Sequence, residues 1–423
     1  MAKNGNTQLG NAKAAKNDEF YTQLADIQAE VNAYLDFNPD VFRGKTVLLP
    51  CDDPEWSNFT RFFAQNFERF GLKKLISTSY AFDSKNLSRR HEDAKSSIPA
   101  PSGNGKRLRD FVASCDRTTY WQPTLFESES PQYDAAKSPA HGKIFVLDRD
   151  TNGNGTIDFS DLQWSYLDDD GDFRSDEVCR LRDEADIIIT NPPFSLFREF
   201  LAWIMETDKK FLIIGSMNAI TYKEVFPLIK GNRMWLGNGF SHGNAYFRVA
   251  DGCRTEYANG VYDAATNLVK FRNVAWFTNL DHGRRHQPLQ LMTMAENIKF
   301  SKHKEVRGHG YPHYENYDAI EVPFTDAIPD DYDGVMGVPI SFLDKYCPEQ
   351  FEILGITDRG NEFGIKTREY TEDETPNAND LNRRGAIRVG GKLQSTYARI
   401  LIRHRKEHAD LFAANAAHKR EGR

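Results

Sequence analysis

Apolar residues at Phe20, Leu24, Ile27, Val31 and Tyr34 recur with helical spacing and predict an amphipathic helix closed near Asn38-Pro39. The run Val47-Leu48-Leu49, set between Gly44 and the polar cluster Cys51-Asp52-Asp53-Pro54, reads as a buried strand over residues 45–50. Phe59, Phe62, Phe63, Phe67 and Phe70 then predict a second helix, and residues 72–79 a second strand. From residue 83 to 141 the periodicity is lost among Ser, Pro, Asn and charged positions, as expected of a surface insertion. Strands resume over 143–147, 186–190, 211–214 and 274–278, the middle two separated by a helix carrying Leu196, Phe197, Phe200, Leu201 and Ile204. Short buried strands alternating with helices predict an α/β fold with a largely parallel sheet. Beyond about residue 282 the composition shifts to His, Arg, Lys, Pro and Tyr, which divides off a smaller second domain, with the polar stretch 371–382 read as a loop.

The 423 residues are 39% hydrophobic, enough for two domains and too apolar for a disordered chain. The net charge of −7 speaks against a polyanionic partner until it is resolved along the chain. Residues 148–186 hold 13 acidic and 4 basic side chains, and residues 381–423 hold 11 basic and 3 acidic ones. A basic tail beside an acidic insert fits contact with nucleic acid, although a solvated surface gives the same count. The five widely spaced cysteines form no CxxC pair and no disulfide framework, and no apolar run reaches membrane-spanning length. A soluble chain in a reducing cytoplasm is expected.

The most informative stretch is Asp186-Ile187-Ile188-Ile189-Thr190-Asn191-Pro192-Pro193-Phe194. It runs a buried strand into Asn-Pro-Pro-aromatic at the carboxyl end of a sheet, where open α/β sheets bind ligands. Two prolines fix the backbone and remove two amide donors, leaving carbonyl oxygens for a ligand. Asn191 adds a side-chain carbonyl and Phe194 a flat face. These groups suit a planar base with an exocyclic amine, whose hydrogens Asn191 and Pro192 accept while Phe194 stacks; a plain strand-to-helix turn with Asn191 as cap is the alternative.

This segment resembles motif IV of the S-adenosylmethionine-dependent amino-methyltransferases, and further segments follow the order of their gamma class. Phe20-Tyr21-Thr22 resembles the element at the methionine end of the cofactor. Asp53-Pro54-Glu55-Trp56-Ser57-Asn58-Phe59 resembles the loop after the first strand, with Ser57 in place of glycine. Gly171-Asp172-Phe173 resembles the element that reads the cofactor adenine. With Trp276 to Leu280, these segments resemble the EcoRI-type adenine-specific DNA methylase family over most of Asp18 to His282, and Tyr397 to Arg403 near the C-terminus also resembles it. The resemblance implies a Rossmann-like methyltransferase sheet with helices on both faces (residues 18–283, after a basic tail at 1–17, with an insertion at about 83–165). A smaller C-terminal α+β DNA-recognition domain (284–423) follows. It further implies methyl transfer from S-adenosylmethionine to the adenine amine of duplex DNA by base flipping, with Asn191, Pro192 and Phe194 catalytic and Phe20, Tyr21, Thr22, Asp53, Pro54, Ser57, Asp172 and Phe173 at the cofactor. The second strand lacks the acidic residue that holds the cofactor ribose in such folds; Asp83 is the nearest substitute. An amino-methyltransferase acting on RNA or a protein glutamine, or a non-catalytic DNA-binding module, is the alternative.

Asp150, Asn152, Asn154, Asp158 and Asp161 stand at positions 1, 3, 5, 9 and 12 of a loop with Gly155 at position 6. That is the spacing of an EF-hand calcium loop, ending in Asp where Glu is usual, and calcium binding and a polar turn both remain open. Arg383, Arg384, Arg388, Lys392, Arg399 and Arg403 are the candidate DNA contacts. The scattered histidines from His282 to His313 match no zinc spacing. The expected partners are duplex DNA and a cognate restriction endonuclease, with no membrane, and the chain is expected to act as a monomer.

Overall fold

The computed structural model describes residues 20–53, 57–81, 130–240, 244–249, 261–263, 265–266, 268–358 and 363–405. The N-terminal tail, Pro54, Asp83 and most of the insertion therefore lie outside the described residues. The chain divides into two compact units, one of Met1–Ser216 with Phe240–Trp276, the other of Met217–Gly239 with Phe277–Arg423. The compositional shift near residue 282 falls a few positions after the third and last crossing between units, at Trp276–Phe277, and Met217–Gly239 carries no compositional sign of belonging with the C-terminal part.

The first unit opens with β1 (Phe20–Thr22) and α1 (Leu24–Phe37), which buries Ile27, Val31 and Tyr34 as the helical spacing requires. β2 (Thr46–Pro50) is buried at every position. The expected second helix is two, α2 (Asn58–Gln65) and α3 (Phe67–Phe70), because the Asn66 side chain donates to the Phe62 carbonyl and its backbone leaves helical torsions. Gly71, at φ 63°, ends α3 in the left-handed region and leads into β3 (Lys74–Ser79). β4 (Lys143–Leu147), β5 (Gln163–Tyr166), α4 (Asp176–Glu184), β6 (Ile187–Thr190), α5 (Phe197–Met205) and β7 (Lys210–Ser216) follow.

The main sheet runs β5-β4-β3-β2-β6-β7-β12, with β12 at Val274–Thr278. β3, β2, β6 and β7 are parallel neighbours, and helices α2 and α3 link β2 to β3 as α5 links β6 to β7. β4 is not part of that parallel set: β3, β4 and β5 pair antiparallel, so the insertion returns to the main sheet at Lys143 rather than ending near 165. Its register sets Trp164 against Phe145, and both rings are buried. A second sheet, β1-β9-β11-β10, joins β1 to β9 (Ala245–Val249), β11 (Leu268–Phe271) and β10 (Tyr262–Asp263), antiparallel throughout.

In the second unit β8 (Trp235–Leu236) pairs with Phe277 and Thr278, and α6 (Phe226–Lys230) precedes it. α7 (Met294–Phe300) is followed by a four-stranded sheet ordered β13 (Ile320–Glu321), β14 (Met336–Pro339), β18 (Arg399–His404), β15 (Phe351–Ile356). The stretch read as a loop contains α8 (Ala378–Arg383): Ala378 and Leu381, three apart, are buried with Tyr370 and Ala386, which is enough apolar contact for a short helix in a polar segment. The hairpin of β16 (Ala386–Val389) and β17 (Lys392–Ser395) turns through Gly390 and Gly391, both at positive φ.

One close backbone approach sets the edge beside β3. A Cβ on Gly171, at φ +76°, would lie 2.5 Å from the Ser79 carbonyl oxygen, and one on Gly142 would lie 2.7 Å from Gly171. Gly153 has nearly the same φ, +74°, with nothing within 4 Å. Gly171→Ala is therefore expected to lower stability by about 2–3 kcal/mol and Gly153→Ala by only about 1 kcal/mol, read from urea unfolding midpoints. Equal losses would show that the contact at Ser79 carries no cost.

Candidate active site

Chain order reverses across the β2–β6 pair, with β3 on one side and β7 on the other. At such a switch point the loops leaving two adjacent parallel strands diverge and open a crevice at their carboxyl ends. Here those ends carry Cys51-Asp52-Asp53 and Asn191-Pro192-Pro193-Phe194. Both motifs singled out from the sequence thus leave neighbouring strands on the same edge.

The turn after β6 is built as its composition demands. Pro192 is buried, and the Pro193 carbonyl accepts from the Leu196 amide to close the turn into α5. No hydrogen bond among the described residues ends on the Pro192 carbonyl. Phe194 is half-buried, its ring edge-on to Phe247 at 6.2 Å and Phe271 at 6.0 Å. Those two rings belong to β9 and β11, and β9 pairs Phe247 with Thr22 and Arg248 with Tyr21. The small sheet thereby brings Phe20-Tyr21-Thr22 and Phe194 together across nearly the whole length of the first unit. Asn58 Nδ2 donates to the Thr22 carbonyl at 2.8 Å, tying β1 to α2 as well.

Ser57 caps α2: its Oγ accepts from the Phe59 amide and donates to Asp52 Oδ1 at 2.6 Å. A serine where glycine was expected is thus accounted for by these two bonds. Asp52 is 6% exposed, and its other oxygen lies 2.6 Å from Thr190 Oγ1, at the end of β6. Burial pushes the Asp52 carboxyl up from 3.8 to about 7, against the lowering effect of the Ser57 and Thr190 hydroxyls. Its backbone is held as firmly, the amide donating to the Thr78 carbonyl and the carbonyl accepting from Thr60 and Ser77. Asp52 belongs to the polar cluster after β2, where motif resemblance points to Asp53 instead; two tandem aspartates closing an apolar run are the signal the sequence offers for it. Asp53 itself pairs with Lys143 at 3.5 Å.

Gly171-Asp172-Phe173 lies beside Ser79 through the glycine contact above. Asp172 pairs with Arg174 at 2.6 Å, and the Phe173 ring, 3% exposed, stands edge-on to Phe200 and Trp203 in the core. The hydroxyls of Thr22 and Thr78 are buried without a hydrogen-bond partner among the described residues. Buried hydroxyls left in this state each keep a donor and an acceptor for a further polar group.

Of the two readings left open for residues 150–161, the structure supports the polar turn and gives no support to calcium. The described residues, which include all of 150–161, contain no group of three or more His, Cys, Asp or Glu side chains that could hold a metal. The loop oxygens are turned onto its own backbone: Asp150 accepts from Gly153 and Gly155, and Asn152 from Asn154. Asn154 accepts from Thr156, Asp158 from Ser160, and the buried Asp161 from Thr151, Asn152 and Asp158. The motif is a polar turn that packs against α3 through a bond from the Ile157 amide to Glu68.

In the second unit the basic candidates separate by partner. Arg399 is half-buried, forking onto a nearly buried Glu321 at 2.7 and 2.9 Å inside the four-stranded sheet, a structural pair rather than a free cation. Arg384, Arg388 and Arg403 pair with Asp358, Glu315 and Glu352. Arg383 and Lys392 are exposed. Buried Asn316 anchors the segment that carries Arg383 and Arg384, donating to the Leu381 and Arg384 carbonyls and accepting from the Ala386 amide.

The Asn-Pro-Pro-Phe turn and the buried Asp52 leave adjacent parallel strands, and comparison with known proteins defines the class: an adenine-specific DNA methyltransferase. The family model described as adenine-specific methyltransferase EcoRI matches residues 8–405, and the chain belongs to that family. The chain is 39% identical over 356 residues to Type II methyltransferase M.EcoRI of Escherichia coli, covering 84% of this chain and 90% of that protein. It is 30% identical over 403 residues to Type II methyltransferase M.MpnI of Mycoplasma pneumoniae, covering 93% and 97%. Against Type II methyltransferase M.MgeORF184P of Mycoplasma genitalium the identity is 28% over 398 residues. No solved structure gives a significant match.

Two outcomes follow from this geometry. Phe247→Ala, which removes a fully buried ring from behind Phe194, is expected to cost about 3–5 kcal/mol in a denaturant titration; a loss below 1 kcal/mol would mean the ring is not a support. Millimolar calcium is expected to give no binding heat and no shift in melting temperature, and a saturable heat would reinstate the metal.

Proposed function

We propose that the first unit is a Rossmann-like methyltransferase domain that holds S-adenosylmethionine across the carboxyl ends of β2 and β3 and methylates a flipped adenine at the turn after β6. The observation that carries this reading is the set of contacts that links the three segments: Thr22 to Asn58 and, through Phe247, to Phe194, and Asp52 to Ser57 and to Thr190 beside Asn191. In the proposed arrangement Tyr21 and Thr22 meet the methionine end of the cofactor. Asp53, Pro54 and Ser57 form its loop, and Asp172 and Phe173 lie at its adenine end. Bound there, S-adenosylmethionine supplies an electrophilic methyl group on a sulfonium.

The chain's own task is to make a poor nucleophile reactive. The adenine amine is conjugated with its ring, and its lone pair becomes available only as the nitrogen turns tetrahedral. The Asn191 side-chain oxygen and the Pro192 carbonyl accept its two hydrogens and favour that geometry, with no strong base required. Phe194, held by Phe247 and Phe271, stacks on the base and offsets part of the unstacking cost, about a few kcal/mol. The second unit serves as the DNA-recognition domain, with Arg383 and Lys392 on phosphates; Arg399 is left out because Glu321 neutralises it. The reading places the enzyme in the cytoplasm as a monomer beside a cognate restriction endonuclease; no helix among the described residues is long and apolar enough to cross a membrane.

Asn191→Ala is expected to lower methyl transfer to duplex DNA by about two orders of magnitude or more while leaving S-adenosylmethionine binding intact. Normal turnover would refute the assignment, and transfer to RNA or to a protein glutamine in preference to duplex DNA would redirect it. Removing both Arg383 and Lys392 is expected to reduce the slope of log affinity against log salt by about 2, uniformly across DNA sequences; an unchanged slope would remove them from the interface.

A further inference from the structure

We propose that Asp52 is a neutral carboxylic acid in the folded enzyme and acts as a positioning residue, its proton fastening the cofactor loop to the strand that presents Asn191 and Pro192. The argument is a count of hydrogens. Thr190 Oγ1 lies 2.6 Å from the Pro50 carbonyl oxygen and 2.6 Å from Asp52 Oδ2. Both separations are those of O–H···O hydrogen bonds, yet the hydroxyl has one hydrogen and a carbonyl has none to give. If Thr190 donated to Asp52, its oxygen would press on the Pro50 carbonyl with no hydrogen between them. Both contacts are satisfied when Thr190 donates to Pro50 and a protonated Asp52 donates to Thr190. On the other side, Ser57 Oγ accepts from the Phe59 amide and gives its one hydrogen to Asp52 Oδ1, which leaves the carboxyl's own proton on Oδ2 for Thr190. The relay therefore runs from α2 through Ser57, Asp52 and Thr190 to the end of β2.

The surroundings agree. Ser57 at the cap of α2, Thr60 from α2, Ser77 and Thr78 from β3, and Thr190 from β6 all face or flank Asp52 and none carries charge. The adjacent titratable groups in the chain are Cys51 and Asp53, the latter paired with Lys143, while Glu55 lies outside the described residues. Buried with no cation beside it among the described residues, the carboxyl holds its proton up to a pH of about 7. Asp52 gives the fold a way to fix the distance between donor loop and acceptor turn without placing a second anion beside a cationic sulfonium's binding edge, and it does so through Thr190, the residue before Asn191.

The inference rests on the cofactor site proposed above, and the test separates the two. Asparagine reproduces a neutral acid at this position, its Nδ2 donating to Thr190 and its Oδ1 accepting from Ser57. Asp52→Asn is therefore expected to keep S-adenosylmethionine affinity and kcat within about threefold of the native enzyme, while Asp52→Ala and Thr190→Val each lose tenfold or more in one of them. Asparagine as damaging as alanine in a folded protein would overturn the proposal, as would an alanine variant with native affinity and kcat. Two readouts do not depend on activity or cofactor. The native protein at pH 6 is expected to show the infrared carbonyl band of a buried carboxylic acid that Asp52→Asn lacks; no difference between the two would overturn the proposal even if Asp52→Ala fails to fold. The folded carboxyl also holds its proton between 3.8 and about 7 where the unfolded one releases it, so native stability should fall relative to Asp52→Asn as pH rises through that window. A constant difference would contradict a raised pKa. If the native protein bound no S-adenosylmethionine, the cofactor site would fail while these two measurements still judged Asp52.

Discussion

The constraint on which the site depends is the parallel pairing of β2 with β6. It is a pairing of two strands buried at every position, Thr46–Pro50 and Ile187–Thr190, in which Val47 meets Ile187 and Leu48 meets Ile188. Both strands are covered on both faces and run parallel in that register, so the residues that follow each strand emerge side by side. A polar loop and a diproline turn, 138 residues apart in the chain at their point of contact, become neighbours for that reason. The hydroxyl of Thr190 and the carboxyl of Asp52 then convert proximity into a bonded connection.

Rigidity is added from outside the main sheet. The β1–β9–β11 sheet stands behind Phe194 with Phe247 and Phe271, and the same β9 carries Thr22 and Tyr21 as cross-strand partners. A single support thus governs both the face proposed for the base and the element proposed for the methionine end of the cofactor. In the second unit, Asn316 does comparable work for the 381–386 segment by satisfying three backbone groups from one buried side chain.

Much of this was legible in the sequence, for a physical reason: strands buried on both faces appear as uninterrupted apolar runs, and Asn-Pro-Pro-Phe has few roles at the end of one. The parallel core and its helices were read within a few residues. What could not be read is what depends on pairing between distant segments. The antiparallel attachment of β4 to β3, the edge contact at Gly171, and the return of Met217–Gly239 to the second unit leave no local periodicity. Side-chain partners were likewise invisible. The sequence offered Arg399 as a phosphate contact and Asp150 to Asp161 as a calcium loop because charge and spacing can be counted along a chain, whereas Glu321 and the loop's own amides, which absorb those charges, cannot. Asp52 was overlooked because its importance lies in contacts with Ser57 and Thr190 rather than in any motif.

The most direct measurement is a crystal structure of the protein with S-adenosylmethionine bound. The account requires the donor to lie across the carboxyl ends of β2 and β3, with its methyl group directed toward Asn191 and Pro192. A donor bound elsewhere, or one whose methyl group is turned away from that turn, would contradict it.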